Sequence, residues 1–271
     1  MSDEPGRALE RRSVSIAGRS GGREWGIAVE SPVELRVNGA AWTMMLATPT
    51  DLEDLAVGLA LTEQVVRDPA GIAAIRHSSW LGEHTVDLEI PAPLPNRRGR
   101  ALAGVSGCGL CGLESLAAFR AGLDDSWARP VAEGVGEIAD EAIRAAWAAL
   151  PDQQPINRET HSVHAAAWCR PDGSIEEVRE DVGRHNALDK LVGARARGGQ
   201  HGAAGFIVMT SRCSYELVAK AAVGRALLLA TISAPTTLAL TWSETLGLPL
   251  ASAGPGRQVV RFPKEAVHAA G

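Results

Sequence analysis

Two cysteines with two residues between them stand in the run Ser106-Gly107-Cys108-Gly109-Leu110-Cys111-Gly112. A cysteine used for packing sits among apolar neighbours at a helical or strand period. This pair instead sits on glycine-rich backbone, suited to presenting sulfur to a metal, an oxidant or a sulfur-carrying partner. Three chemistries are open to it. As zinc ligands, Cys108 and Cys111 form half of a site and need two more donors. The chain has no second C-x-x-C, so His161 and His164, or Cys169, would have to complete it. As a cycling disulfide, a thioredoxin-like pair follows a strand and opens a long helix. Here Gly112 follows, and the helix expected over 114–121 is short. As a persulfide carrier, the pair needs an exposed, readily ionised thiol, which the backbone N–H groups at the helix start near Glu114 favour.

Other polar clusters suit ligand binding. The run Arg179-Glu180-Asp181-Val182-Gly183-Arg184-His185-Asn186-Ala187-Leu188-Asp189-Lys190 combines basic residues with a glycine that permits a sharp bend. Asn186 can N-cap the following helix, with Asp189 at its third position. Arg184 and His185 then stand beside a helix N-terminus, where phosphate binds well. An ordinary capped helix with a solvated entry explains the same residues. Thr210-Ser211-Arg212-Cys213-Ser214 follows an apolar run, and ligands of open α/β sheets bind beyond the carboxyl ends of strands. Ser233-Ala234-Pro235-Thr236 holds the equivalent place after the next apolar run. Each is equally readable as a helix cap, but two such corners on one sheet edge favour a pocket. His161 and His164 enter a strand, Cys169 and Cys213 read as packing residues, and Ala253-Gly254-Pro255-Gly256-Arg257 reads as a tight turn.

The elements that must hold these groups follow from periodicity. Residues 1–24 are charged and glycine-rich and read as a mobile tail. Val33 to Val37 and Ala41 to Leu46 flank Asn38-Gly39, a hairpin signature. Thr50-Asp51-Leu52-Glu53 has the form of a capping box, with Thr50 as N-cap of a helix running to about Val66. Val86, Leu88 and Ile90 alternate as a strand. The stretch 91–100 holds three prolines and three arginines and reads as a boundary. Helices are expected over 138–150, 186–196, 215–222 and 235–245, and strands over 163–169, 174–178, 205–209 and 227–231. Strands alternating with helices imply an α/β (α+β) fold. We divide it into the tail 1–24, an N-terminal α+β subdomain 25–100, a cysteine-bearing connecting segment 101–155 and a C-terminal α/β domain 156–271.

The totals bound the function. With 27 basic and 32 acidic residues among 271, the formal net charge is −5, which argues against general nucleic-acid binding. Four cysteines in a chain of this length without an apolar leader read as reduced cytoplasmic thiols. The longest apolar stretch, 227–242, falls short of the ~20 residues of a membrane span.

Taken in order, these landmarks resemble the formate dehydrogenase accessory sulfurtransferases, the FdhD-type sulfur carriers. They are Val33 to Gly39, Ala47-Thr48-Pro49 to Glu63, Ser106 to Gly112, His164-Ala165-Ala166, Glu180 to Lys190, Ser211 to Lys220, and Ser233 to Thr236. The match runs from about residue 25 to 265.

The resemblance implies a carrier that accepts persulfide sulfur from a cysteine desulfurase. It implies delivery of that sulfur to the molybdenum bis-guanine-dinucleotide cofactor for formate dehydrogenase or another molybdoenzyme. It also implies a homodimer and a three-layer C-terminal domain similar to the cytidine deaminase fold. The deaminase zinc signature, H-x-E with P-C-x-x-C, is absent, so deamination is not implied. Cys108 would hold the persulfide and Cys111 would assist, with no structural metal. His164, Asp181, Gly183, Arg184, His185, Asn186, Lys190, Ser211, Arg212, Ser214 and Ser233 would contact the cofactor, as would Ser252, Ala253, Gly254, Pro255, Gly256 and Arg257. In that last segment the family usually carries an aromatic before arginine; here only Arg257 keeps the charge. Ser162-Val163 stands where the family tends to have glycine and threonine, and Cys213 where alanine is common. The rival reading is a zinc-stabilised scaffold that uses the C-x-x-C pair as ligands.

Overall fold

The computed structural model describes residues 6–15, 22–94 and 137–262. Cys108, Cys111 and the helix expected over 114–121 lie outside the described residues.

The first strands, β1 (Leu9–Ser15) and β2 (Gly22–Ala28), pair antiparallel as a two-stranded ribbon. The tail expected over 1–24 therefore contains a strand. The ribbon is fixed from outside itself, which local composition does not reveal. Arg11 pairs with Glu159 at 3.1 Å, Trp25 meets the His161 ring at 5.7 Å, and a side chain at Gly26 would collide with the Glu159 backbone.

β3 (Ser31–Val37) and β4 (Ala40–Ala47) form the expected hairpin, with Asn38 and Gly39 at φ 52° and 78°. Both turn residues at positive φ match the strand twist. A four-stranded sheet follows in the order β4-β3-β6-β5, adding β5 (Ala74–Trp80) and β6 (Glu83–Glu89). β5 carries no alternating signal because it is an edge strand exposed along most of its length. Val33, Leu35, Val86 and Leu88 point from this sheet onto helix α1 (Leu52–Thr62).

α1 starts one residue later than the capping box predicts. Asp51, at φ 53°, is its N-cap without a side-chain cap, and the Thr50 hydroxyl has no partner among the described residues. Tertiary contacts override the local motif here. Thr48 is pinned through its N–H, its carbonyl and its hydroxyl by residues 181, 190 and 182, so the chain enters α1 through a tight turn.

The second sheet runs β12-β11-β10-β9-β7-β8. Its strands are β7 (His164–Cys169), β8 (Ile175–Asp181), β9 (Phe206–Met209), β10 (Leu229–Thr231), β11 (Leu250–Ala253) and β12 (Val259–Phe262). β9, β10 and β11 are parallel; β7, β8 and β12 pair antiparallel to their neighbours. Ala165, Ala167, Phe206 and Val208 face helix α2 (Asp140–Ala149), with its Ile143, Ala146 and Trp147. Residues 138–150, assigned by sequence to the connecting segment, thus pack as a layer of the C-terminal sheet. A short helix, α3 (Pro155–Thr160), leads into β7. The opposite face carries α4 (Arg184–Arg197) and α5 (Tyr215–Val223), with α6 (Thr237–Leu246) beside α5. The sheet between these helix layers makes the mixed α/β domain three-layered.

α4 also packs against α1, so one hydrophobic cluster runs from the N-terminal sheet through both helices to the C-terminal sheet. Three polar links cross the same boundary. Asp54 takes Arg179 and Arg197, Asp189 binds Lys220 and Thr62, and Asp181 binds Lys190 and Thr48. The N-terminal unit therefore braces the helix that carries Arg184 and His185.

Candidate functional site

The pairing register puts the candidate residues on one edge of the second sheet. His164 opens β7 opposite Asp181, the last residue of β8. Met209, Thr231 and Ser252 lie level with one another near the ends of β9, β10 and β11. The segments 181–186, 210–214, 231–236 and 252–257 all leave the sheet at this edge. From β8 to β11 the row crosses five strands, or about 19 Å at ~4.8 Å per step.

Not every candidate faces outward. Asp181 and Lys190 are fully buried and bonded to each other at 2.7 Å. Asp181 Oδ2 also accepts from Thr48 N, and Oδ1 from Gly183 N and the Asn186 amide. Lys190 Nζ donates to the Thr48 carbonyl at 2.9 Å and to that of Glu180 at 3.4 Å. This pair fixes the bend that launches α4. Asn186 is not the N-cap: Gly183 is, without a side-chain cap, and the Asn186 amide bridges Asp181 and the Leu46 carbonyl. Asp181 captures Gly183 N first, so the helix begins two residues before Asn186.

Arg184 and His185 occupy the first turn of α4. The Nε atom of Arg184 is buried without a hydrogen-bond partner among the described residues. His185 Nε2 lies 3.0 Å from Glu216 Oε2 and 3.3 Å from Ser214 Oγ, both at the start of α5. His164 is held below the ordinary imidazole range, first by burial and then by Arg184, His185 and Arg212, with Asp181 opposing. Four cationic or potentially cationic groups thus converge on two helix N-termini whose first N–H groups lack side-chain caps. That arrangement favours an anion with several oxygens.

The two hydroxyl-rich corners are tied together. Thr210 Oγ1 accepts from Ala165 N, and Ser233 N donates to the Ser211 carbonyl. Cys213 and Pro235 form a parallel bridge, with Thr236 N donating to the Cys213 carbonyl. Ser211 is buried, Arg212 exposed and Ser214 half-buried. Cys213 packs, as its sequence context indicated: it is 1% exposed, and burial pushes its thiol up to about 12. Farther along, Ser252 and Ala253 close β11 rather than forming part of a turn. Gly254, Pro255, Gly256 and Arg257 make the turn itself, with Gly256 and Arg257 at φ 65° and 58°. Arg257 is exposed.

Cys169 does not meet His164 as a further zinc donor. His164 and Cys169 stand at opposite ends of β7, about 16 Å apart at ~3.3 Å per residue. Cys169 is fully buried, and burial pushes its thiol to about 12. His161 lies against Trp25. No group of three or more metal-ligating side chains occurs among the described residues.

Sequence reasoning missed Thr48 and Glu216. Thr48 acts through its backbone N–H and carbonyl as well as its hydroxyl, and the backbone contacts leave no mark on composition. Glu216 reads in sequence as an ordinary first-turn acid complementing the dipole of α5.

Residues 28–262 match the FdhD/NarQ family. The chain belongs to that family. It is 42% identical over 249 residues to the sulfur carrier protein FdhD of Xanthomonas campestris pv. campestris (strain B100), covering 91% of this chain and 86% of that protein. It is 47% identical over 232 residues to the sulfur carrier protein FdhD of Chromobacterium violaceum, covering 83% and 84%. A crystal structure described as that of a formate dehydrogenase accessory protein from Desulfotalea psychrophila superposes with a TM-score of 0.67. It covers 94% of this chain and 95% of its own, at 18% identity, and so supports the fold. FdhD/NarQ membership and the named relatives support a sulfur-carrier role. No helix among the described residues is long and apolar enough to cross a membrane.

Proposed function

We propose that this member of the FdhD/NarQ family takes sulfur from a cysteine desulfurase onto Cys108. It passes that sulfur to a molybdenum bis-guanine-dinucleotide cofactor, the acceptor substrate, destined for a formate dehydrogenase. The observation that carries this reading is the convergence of Arg184, His185, His164 and Arg212 on two uncapped helix N-termini at one sheet edge. A nucleotide pyrophosphate matches that charge pattern. The ~19 Å row from Asp181 to Ala253 favours an extended ligand over a single phosphate. Asp181 and Lys190 shape the edge from behind, while Arg184, His185, Arg212, Ser214 and Ser233 meet the ligand. Arg257 and its turn serve the far end.

The loading step balances without an oxidant. The Cys108 thiolate attacks the terminal sulfur of the desulfurase persulfide; a new S–S bond forms, the old one breaks, and the desulfurase cysteine leaves as thiolate. Release as sulfide needs two electrons. Cys111 supplies them by attacking Cys108, which leaves a Cys108–Cys111 disulfide for a cellular dithiol to reduce.

Intact-mass analysis after incubation with a cysteine desulfurase and cysteine tests this. The expected result is a reductant-sensitive gain of one sulfur, lost in Cys108→Ala. No gain in the wild-type protein overturns the carrier chemistry; a gain that survives Cys108→Ala overturns the assignment of Cys108.

A further inference from the structure

We propose that Glu216 is the positioning residue of this edge, holding His185 in the orientation that receives a nucleotide phosphate; the proposal rests on the reading of the edge as an anion site. Glu216 is the second residue of α5, and His185 is the second residue of α4. Their side chains are 13% and 18% exposed and meet at 3.0 Å. The contact therefore joins the first turns of the two helices whose N-termini form the site.

The chemistry of the pair fixes the ring. A carboxylate only accepts hydrogen bonds, so the Nε2 facing it must carry the proton. Ser214 Oγ approaches that same nitrogen at 3.3 Å. In a nucleophilic triad the hydroxyl and the carboxylate use opposite ring nitrogens. Here both use Nε2, so Ser214 is not an activated nucleophile. The nitrogen left to the ligand is Nδ1, which has no hydrogen-bond partner among the described residues. In the doubly protonated ring Nδ1 donates as well. His185 is in turn one of the charged neighbours of His164 on β7, together with Asp181 from β8, Arg184 from α4 and Arg212 from the loop after β9.

This role has a counterintuitive consequence. Glu216 puts a negative charge beside an anion site. If it acted through that charge alone, Glu216→Gln would tighten anion binding. If it acts by holding His185, the same change weakens binding, because the replacement amide can donate as well as accept and so no longer fixes Nε2–H toward position 216. The two roles predict opposite signs.

The full-length protein is titrated with guanosine diphosphate by calorimetry as wild type, Glu216→Gln, His185→Gln and the double variant. We expect each single variant to bind about 5- to 10-fold more weakly, at the scale of one ordinary hydrogen bond. In the His185→Gln background, Glu216→Gln should cause no further loss. Unchanged or tighter binding by Glu216→Gln overturns the proposal, as does a full additional loss in the double variant. Absence of guanosine diphosphate binding by the wild-type protein overturns the reading of the edge and this proposal with it. Ring nitrogen-15 shifts of His185 in the wild-type protein test the pair without any variant. A proton on Nε2 is expected, and a neutral ring protonated on Nδ1 instead overturns the proposal.

Discussion

Gly58 of α1 and Gly193 of α4 are in backbone contact. A Cβ built at position 58 would come 2.9 Å from Gly193 N, and one at 193 would come 2.7 Å from Gly58 N, with the Asp189 and Asp54 carbonyls closer still. Only glycine fits either position, and the fit sets how closely the N-terminal unit approaches the helix carrying Arg184 and His185.

Gly58→Ala and Gly193→Ala should therefore each destabilise the fold, against the helix-propensity gain of ~1 kcal/mol that alanine brings to an exposed helix. Forcing the helices apart costs on the order of 3 kcal/mol, so the clash wins. Urea unfolding should show a lower midpoint. At a denaturant concentration where both variants remain folded, guanosine diphosphate binding should also weaken as the α4 N-terminus shifts. A midpoint equal to wild type would contradict so close a crossing.

Lys190 makes a second prediction. Its ammonium group has no exposure and is bonded to the equally buried Asp181. Removing one partner leaves the other charge stranded, at a cost of about 3–5 kcal/mol. Lys190→Met should lower the unfolding midpoint strongly. Lys190→Met with Asp181→Leu should recover part of that loss, because no bare charge remains. If the single and double variants lose stability additively, the pair is not coupled as its geometry requires.

The hairpin at Asn38-Gly39 and the strand–helix alternation from residue 163 onward were legible because local signals and tertiary demands agree there. The shared edge of residues 211–214 and 233–236 was legible from the rule that ligands bind at strand ends, whereas 181–186 joined them only through the family resemblance. The start of α1 was not, because Asp181 and Lys190 hold Thr48 from more than 130 residues away. For the same reason Asp181 and Lys190 looked like ligand contacts: a buried ion pair and a binding pair have the same composition. β11, a run of small residues, carries too little periodicity to announce a strand.

The thiols divide by environment. Cys169 and Cys213 are buried with thiols pushed up to about 12, so at pH 8 both stay protonated and unreactive. Alkylation of the native protein with iodoacetamide at pH 8, followed by peptide mass analysis, should leave both unmodified. Cys213→Ala should leave sulfur loading unchanged. Rapid labelling of Cys213 would show that the 211–214 corner opens.

His164 makes stability depend on pH in a defined direction. Its folded-state pKa is lowered from 6.5, chiefly by burial and then by Arg184, His185 and Arg212. Above 6.5 the ring is neutral in both folded and unfolded chains and contributes nothing. Below 6.5 the unfolded chain binds the proton first, so stability falls with pH until the folded-state value is passed. Melting temperatures measured from pH 5 to 8 should drop below pH 6.5 by more in the wild type than in His164→Asn. Guanosine diphosphate at the edge would screen the three cations but not the burial. Because burial is the largest cause, ligand should narrow the wild-type drop and leave part of it. Equal acid sensitivity in wild type and His164→Asn would assign the effect to other groups. A drop unaltered by saturating ligand would place the nucleotide away from His164.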